Sequence, residues 1–90
     1  MSEPVVLLKL LGNEHRLKIA YLLREGEKSG AELVGATGLN WQTFTHHLTR
    51  FRNRGFVRGR RQGRRVIYSL YDPEGEIQAI LDKVSDLYTH

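Results

Sequence analysis

The tightest constraint on how this chain can fold is the punctuation between Ser29 and Gly55. Ser29-Gly30-Ala31-Glu32 is a capping box: the serine hydroxyl and the Glu32 carboxylate each satisfy a backbone N–H that a helix start leaves orphaned. It opens a short helix through about Ala36. Thr37-Gly38-Leu39 is then a tight turn, because Gly38 takes positive φ at no steric cost. Asn40 caps the next helix, which runs over 41–53 and stops at Gly55. Two short helices joined by a three-residue glycine-containing turn are a helix-turn-helix signal.

After Gly55 the period changes. Val66, Tyr68 and Leu70 alternate with Arg65, Ile67 and Ser69, which is strand behaviour. With a turn at Gly63, residues 56–60 and 65–71 pair as a β-hairpin, a wing behind the helix pair. Upstream, Ser2 and Pro4 open a first helix over 3–11 that ends at Gly12, and Asn13 caps a second through Arg24 or Glu25. Leu17, Ile19, Ala20, Tyr21, Leu22 and Leu23 surround that second helix with apolar surface, so it is the central one. Asp72-Pro73 ends the hairpin and opens a last helix over 74–88. No repeat, linker or low-complexity stretch interrupts the chain. The expectation is one mainly α domain over 1–90 with a small β-hairpin, a winged helix-turn-helix.

Its 90 residues match a single domain with a modest core, burying about 60–65% of the unfolded surface. No apolar run reaches the roughly 18–20 residues of a membrane span, and residues 4–11 lack the flanks of a signal peptide. A cytoplasmic location is therefore expected. With no cysteine, disulfides, thiolate metal sites and cysteine nucleophiles are all excluded.

The net charge of +4 is unevenly spread. Residues 1–49 balance, and residues 66–90 are acidic. Between them Arg50, Arg52, Arg54, Arg58, Arg60, Arg61, Arg64 and Arg65 stand with no acid interleaved. Such a block is the electrostatic footprint of a polyanion-binding surface. The planar fork of arginine suits phosphates and guanine edges better than a lysine does.

At about 100° per residue, helix 41–53 has two faces. Phe44, His47, Leu48 and Phe51 form a stripe that must be buried. The opposite side shows Gln42, Thr45, His46, Thr49 and Asn53, flanked by Thr43 and Arg50. These side chains can reach base edges in a major groove about 12 Å wide, where an ordinary solvated helix shows Glu and Lys. The first N–H groups of that helix, near Asn40 and Trp41, favour a phosphate. The candidate DNA contacts are thus Trp41, Gln42, Thr43, Thr45, His46, Thr49 and Arg50 on the helix. Arg60, Arg61, Gln62, Arg64 and Arg65 are their counterparts on the wing.

The segment Leu39-Asn40-Trp41-Gln42-Thr43-Phe44-Thr45-His46-His47-Leu48, followed by Arg52, Gly55, Phe56 and Val57, resembles the recognition-helix signature of ArsR/SmtB-type winged-helix repressors. Val57 to Leu70 is similar to their wing, and Leu11 to Ile19 to their opening segment. The resemblance covers roughly residues 10–71. It implies a homodimeric transcriptional repressor, released from operator DNA by a metal or another inducer.

The chain also departs from that pattern. The family's best-known metal site uses cysteines, and the matching segment here is Glu32-Leu33-Val34-Gly35. A second family site lies along the last helix. The candidates for it are Glu74, Glu76, Asp86 and His90, with Leu87 where a ligand is expected. Asp86 and His90, four apart, are the pair that could share a zinc, and two ligands from one chain leave tetrahedral zinc short unless a partner supplies the rest, so no metal and no cofactor are expected. His46 and His47, adjacent on a helix, point about 100° apart and cannot chelate together. Trp41 replaces the small or polar residue common at its position. No phosphate-cradling glycine loop, HExxH or GxSxG supports an enzyme. A winged helix used for protein–protein docking is the alternative, and it calls for apolar residues where this helix shows polar ones. RNA binding ranks lower still, because no aromatic series interleaves the arginines.

Finally, Ile77, Ile80, Leu81, Val84, Leu87 and Tyr88 make one apolar stripe on the last helix, and Val5 and Leu8 belong to a second apolar surface on the first. Two such stripes exceed the needs of one small core and point to a twofold dimer through the terminal helices.

Overall fold

A computed structural model describes residues 4–88. The chain runs α1 (Pro4–Leu11), α2 (Glu14–Glu25), β1 (Lys28–Ser29), α3 (Gly30–Thr37), α4 (Trp41–Asn53), β2 (Val57–Gln62), β3 (Arg65–Leu70) and α5 (Glu76–Tyr88). The expected cap at Ser2, and His90, lie outside the described residues, as does the side chain of Tyr88.

The helix starts stand where the capping residues put them. Asn13 Oδ1 accepts from the N–H groups of His15 and Arg16 at 2.9 and 3.1 Å. Ser29 Oγ accepts from Glu32 N at 3.1 Å while Glu32 Oε1 accepts from Ser29 N at 3.0 Å, closing the capping box. These bonds hold the Glu32 carboxyl below its usual pKa range, with nearby Arg65 and Lys28 adding to the effect. Asn40 Oδ1 accepts from Thr43 N at 2.8 Å, and Gly38 sits in the left-handed region at φ 72°. The α3–α4 pair is therefore fixed by three local devices: a capping box, a left-handed glycine and an asparagine cap.

The sheet has three strands in the order β1-β3-β2, all antiparallel. Strand β1 was not expected. Two residues are too few to show alternation, and β1 exists only because Lys28 and Ser29 pair with Tyr68 and Ile67, about forty residues on. It makes β3 the central strand, so Ile67 and Ser69 are half-buried along with Val66, Tyr68 and Leu70. The hairpin loop is also shorter than expected. Arg61 and Gln62 belong to β2, and Gln62 pairs directly with Arg65 across a two-residue loop. Gly63, at φ 64°, occupies the first central position, as tight hairpins favour. Within β2, Gly59 lies under the ring of Tyr68. A Cβ there would meet that ring at 3.0 Å, so the glycine lets the tyrosine lie across the strand.

The core gathers Leu7, Leu10 and Leu11 of α1, Ile19, Ala20 and Leu23 of α2, Leu33 of α3, and Phe44, Leu48 and Phe51 of α4. Helix α5 starts at Glu76 rather than at residue 74. The Asp72 carboxylate reaches over the turn to accept from Ile77 N and Gln78 N at 3.2 and 3.0 Å, which leaves Pro73 and Glu74 in the turn. Tyr21 Oη then donates to Leu81 O at 2.8 Å, and Arg24 pairs with Asp82 at 2.6 Å, tying α5 to α2. This docking corrects the expected α5 stripe. Ile77 and Leu81 are both 0% exposed inside the chain's own core, so they hold α5 down and present nothing to a partner.

Candidate nucleic-acid interface

Helix α4 divides as the wheel predicts. Phe44, His47, Leu48 and Phe51 are buried, and Gln42, Thr45, His46, Thr49, Arg50 and Asn53 are exposed, with Thr43 half-buried at the edge. The inward stripe is locked by rings: Phe44 meets Tyr68 of β3 edge-on at 6.4 Å and Trp41 at 5.9 Å. Trp41 is nonetheless 57% exposed. It overhangs a groove of about 360 Å³ between the start of α4 and the wing, whose walls include Gly30, Tyr68, Val66, Arg64 and Arg65. The start of α4 and the wing tip thus face one shared concavity.

His47 is the one buried polar residue of the α4 stripe. Arg16 Nη1 lies 3.2 Å from its Nδ1. A guanidinium only donates, so Nδ1 accepts and the neutral Nε2–H tautomer is the one that suits this contact. Burial first, then the charges of Arg16, His15, His46 and Arg50, holds His47 below the usual histidine pKa. Among the described residues no group of three or more His, Cys, Asp or Glu could hold a metal ion.

The wing's charge is less bare than the sequence implies. Arg60 pairs with Glu27 at 3.1 Å and Arg65 with Glu32 at 3.4 Å. Both acids come from the neutral first half of the chain, so no local pattern reveals these pairs. Arg58 lies over the Tyr71 ring, 3.4 Å from its centre. Arg61 and Arg64 make no ion pair among the described residues, and Gln62 is exposed beside them. Of the four wing arginines expected at DNA, Arg60 and Arg65 thus have carboxylate partners, and Arg61 and Arg64 have none among the described residues. Such exposed pairs are worth about 0–1 kcal/mol, so a phosphate can displace them.

Sequence reasoning missed Arg16, whose links to α1 and His47 depend on the fold. It also passed over Gly59, although a glycine inside a strand signals a close approach.

Residues 13–58, from the cap of α2 to the start of β2, match the family model of the bacterial regulatory proteins of the arsR family. The chain belongs to the arsR family. It is 33% identical over 87 residues to the transcriptional activator HlyU of Vibrio cholerae, spanning 97% of this chain and 79% of that protein. The solved structure of HlyU from Vibrio cholerae aligns with a TM-score of 0.84 at 34% identity, covering 96% and 91% of the two chains. The structure of the transcriptional repressor BigR from Xylella fastidiosa aligns with a TM-score of 0.86 at 27% identity, covering 93% and 84%. With the regulator NmtR of Mycobacterium tuberculosis the chain is 40% identical over 65 residues, 72% of this chain and 54% of that protein. It thus spans about half the length of NmtR. This arsR-family chain is a winged-helix DNA-binding transcriptional regulator and not an enzyme. No helix of the described residues is long and apolar enough to cross a membrane.

Proposed function

We propose that this arsR-family chain is a sequence-specific repressor in the cytoplasm that binds an inverted-repeat operator as a homodimer. In this reading α4 enters the major groove, with Gln42, Thr43, Thr45, His46 and Thr49 at base edges or adjacent phosphates and Trp41 against the sugar–phosphate edge. Arg50 at the end of α4 and Arg60, Arg61, Gln62, Arg64 and Arg65 on the wing hold the DNA backbone. The observation that carries it is the exposed face of α4: hydroxyl, amide and imidazole groups, without a single Glu or Lys. A helix docked on another protein wants an apolar face there. Repression asks for nothing beyond occupancy, because a dimer seated on its site excludes other proteins from it. The reading requires no cofactor.

The self-contact proposed uses Val5 and Leu8 of α1 and Ile80, Val84, Leu87 and Tyr88 of α5, with Ile77 and Leu81 supporting them from inside. Val5, Leu8 and Leu87 are 59%, 58% and 77% exposed, which supports an unmet apolar surface. Twofold symmetry would set two copies of α4 about 34–36 Å apart, one DNA turn. Sedimentation equilibrium at micromolar concentration tests it. A dimer mass that falls to the monomer mass in Leu8→Glu and Leu87→Glu is expected, and a clean monomer in the unaltered protein overturns the dimer.

A further inference from the structure

At the C-terminal end of the exposed face of α4 lies a second concavity, a cleft of about 470 Å³ between that end and α1. Among the described residues that line it, four are cations, Lys9, Arg16, Arg50 and Arg54, and none is an acid. Among the described residues these four make no ion pair, although Arg24, Arg60 and Arg65 all do. The acids closest to any of the four, Asp72, Glu74 and Glu76, line a separate hollow on the far side of Arg54 and not this cleft. Converging charge of one sign in a concave, partly desolvated site focuses the field on a counter-ion.

The cleft is also built. Arg16 donates from Nε to Leu10 O at 2.6 Å, from Nη2 to Lys9 O at 3.3 Å, and from Nη1 to His47 Nδ1. Its fork is thus fixed across the end of α1 before any ligand arrives. Val5, Val6 and Leu10 add an apolar wall, and Asn53 a neutral hydrogen-bonding group. Cations on one side and aliphatic carbon on the other suit an oxyanion that carries an organic body.

We propose that this cleft is a binding site for a phosphate ester, held by Lys9, Arg16, Arg50 and Arg54. Two sources share that chemistry: a backbone phosphate of bound DNA, and a free small phosphate ester. Arg50 and Asn53 lie on the α4 face assigned above to DNA, so a free ester would compete with the operator for the same arginine. That coupling rests on the proposed function, whereas binding of a free ester does not.

The test titrates phenyl phosphate into the full chain at constant ionic strength, following backbone amide shifts in whatever assembly the protein adopts. DNA binding is measured in parallel as a function of salt. Lys9→Gln and Arg54→Gln are the informative variants, because both side chains are at the cleft and outside the core. Lys83→Gln on α5 is the control. Saturable shifts confined to α1 and the end of α4, about tenfold weaker in affinity in either variant, support the free ester. No shift with phenyl phosphate, but a salt slope reduced by about 0.9 in Lys9→Gln, supports the DNA phosphate. If phenyl phosphate does not bind and both variants keep the full slope, the site is overturned. Failure of the chain to bind DNA at all leaves the phenyl phosphate arm readable, so the two proposals fail separately.

Discussion

Helices α4 and α5 make an instructive pair. Each is 13 residues long, and each fixes one apolar stripe in the same core. Facing inward they are equivalent: Phe44 and Phe51 of one, Ile77 and Leu81 of the other, all at most 1% exposed. Facing outward they share almost nothing. Helix α4 shows Gln42, Thr45, His46 and Thr49 and ends in arginines, whereas α5 shows Asp82, Lys83, Asp86 and the bare side chain of Leu87. Burial explains why each is a helix in this place. Only the outward residues separate the element proposed to face DNA from the one proposed to face a second copy.

If the inward faces are equivalent, truncating them should cost similar amounts. Phe51→Ala should destabilise the fold by about 3–5 kcal/mol and Leu81→Ala by about 2–5 kcal/mol, as read by denaturant unfolding. Either loss is a large part of the stability of a small domain. A Leu81→Ala variant of nearly full stability would show that α5 is not held by this core.

Outward changes should leave unfolding unchanged and divide by function. On the wing, replacing Arg60, Arg61, Arg64 or Arg65 with alanine should lower the magnitude of the log–log salt slope by about 0.9 for each phosphate that the arginine neutralises. The fully mutated wing should weaken binding to all sequences alike. An unchanged slope in that fourfold variant would remove the wing from the interface. The ion pairs sharpen this further. Arg60 must release Glu27 to meet a phosphate, so Glu27→Gln should tighten DNA binding by a few-fold at low salt, with equal effect on every sequence. Weaker binding in Glu27→Gln would mean that the pair pre-positions Arg60 instead.

The smallest effect is on pH dependence. His47 has a folded-state pKa below its unfolded value of about 6.5, so the unfolded chain takes up the proton first as pH falls. The stability His47 contributes is complete above about pH 6.5 and is lost as pH drops through that value towards the folded pKa. Melting temperatures between pH 7.5 and 5 should show this loss, and His47→Gln should flatten it. An equally steep fall in the variant would assign the titration to another group.

Much of this fold was legible because its boundaries are chemical and local. Asn13, Ser29 with Glu32, Gly38 and Asn40 each act within four residues, so the helices they start and stop could be read directly. The two faces of α4 were legible for the same reason, since a wheel needs only one helix. What escaped were relations between distant segments. Strand β1 depends on partners in β3, Asp72 caps α5 across a turn, and Glu27 and Glu32 find Arg60 and Arg65 across 33 residues. Ile77 and Leu81 are no more apolar in sequence than Ile80 and Val84, and only the docking of α5 on α2 separates the buried pair from the half-buried one. The cationic cleft is the same kind of feature, assembled from α1, the start of α2 and the end of α4.

The exposed face of α4 is proposed to read base sequence. Selection of bound fragments from a random double-stranded DNA library, run with the unaltered chain and with Gln42→Ala, tests it most directly. The expected motif is an inverted repeat with half-sites about 10–10.5 base pairs apart from centre to centre. In Gln42→Ala the preference at one base pair per half-site should vanish, a cost of about 1–3 kcal/mol, while the rest of the motif persists. An identical motif from both proteins, differing only in overall affinity, would contradict it and reduce Gln42 to a positioning contact.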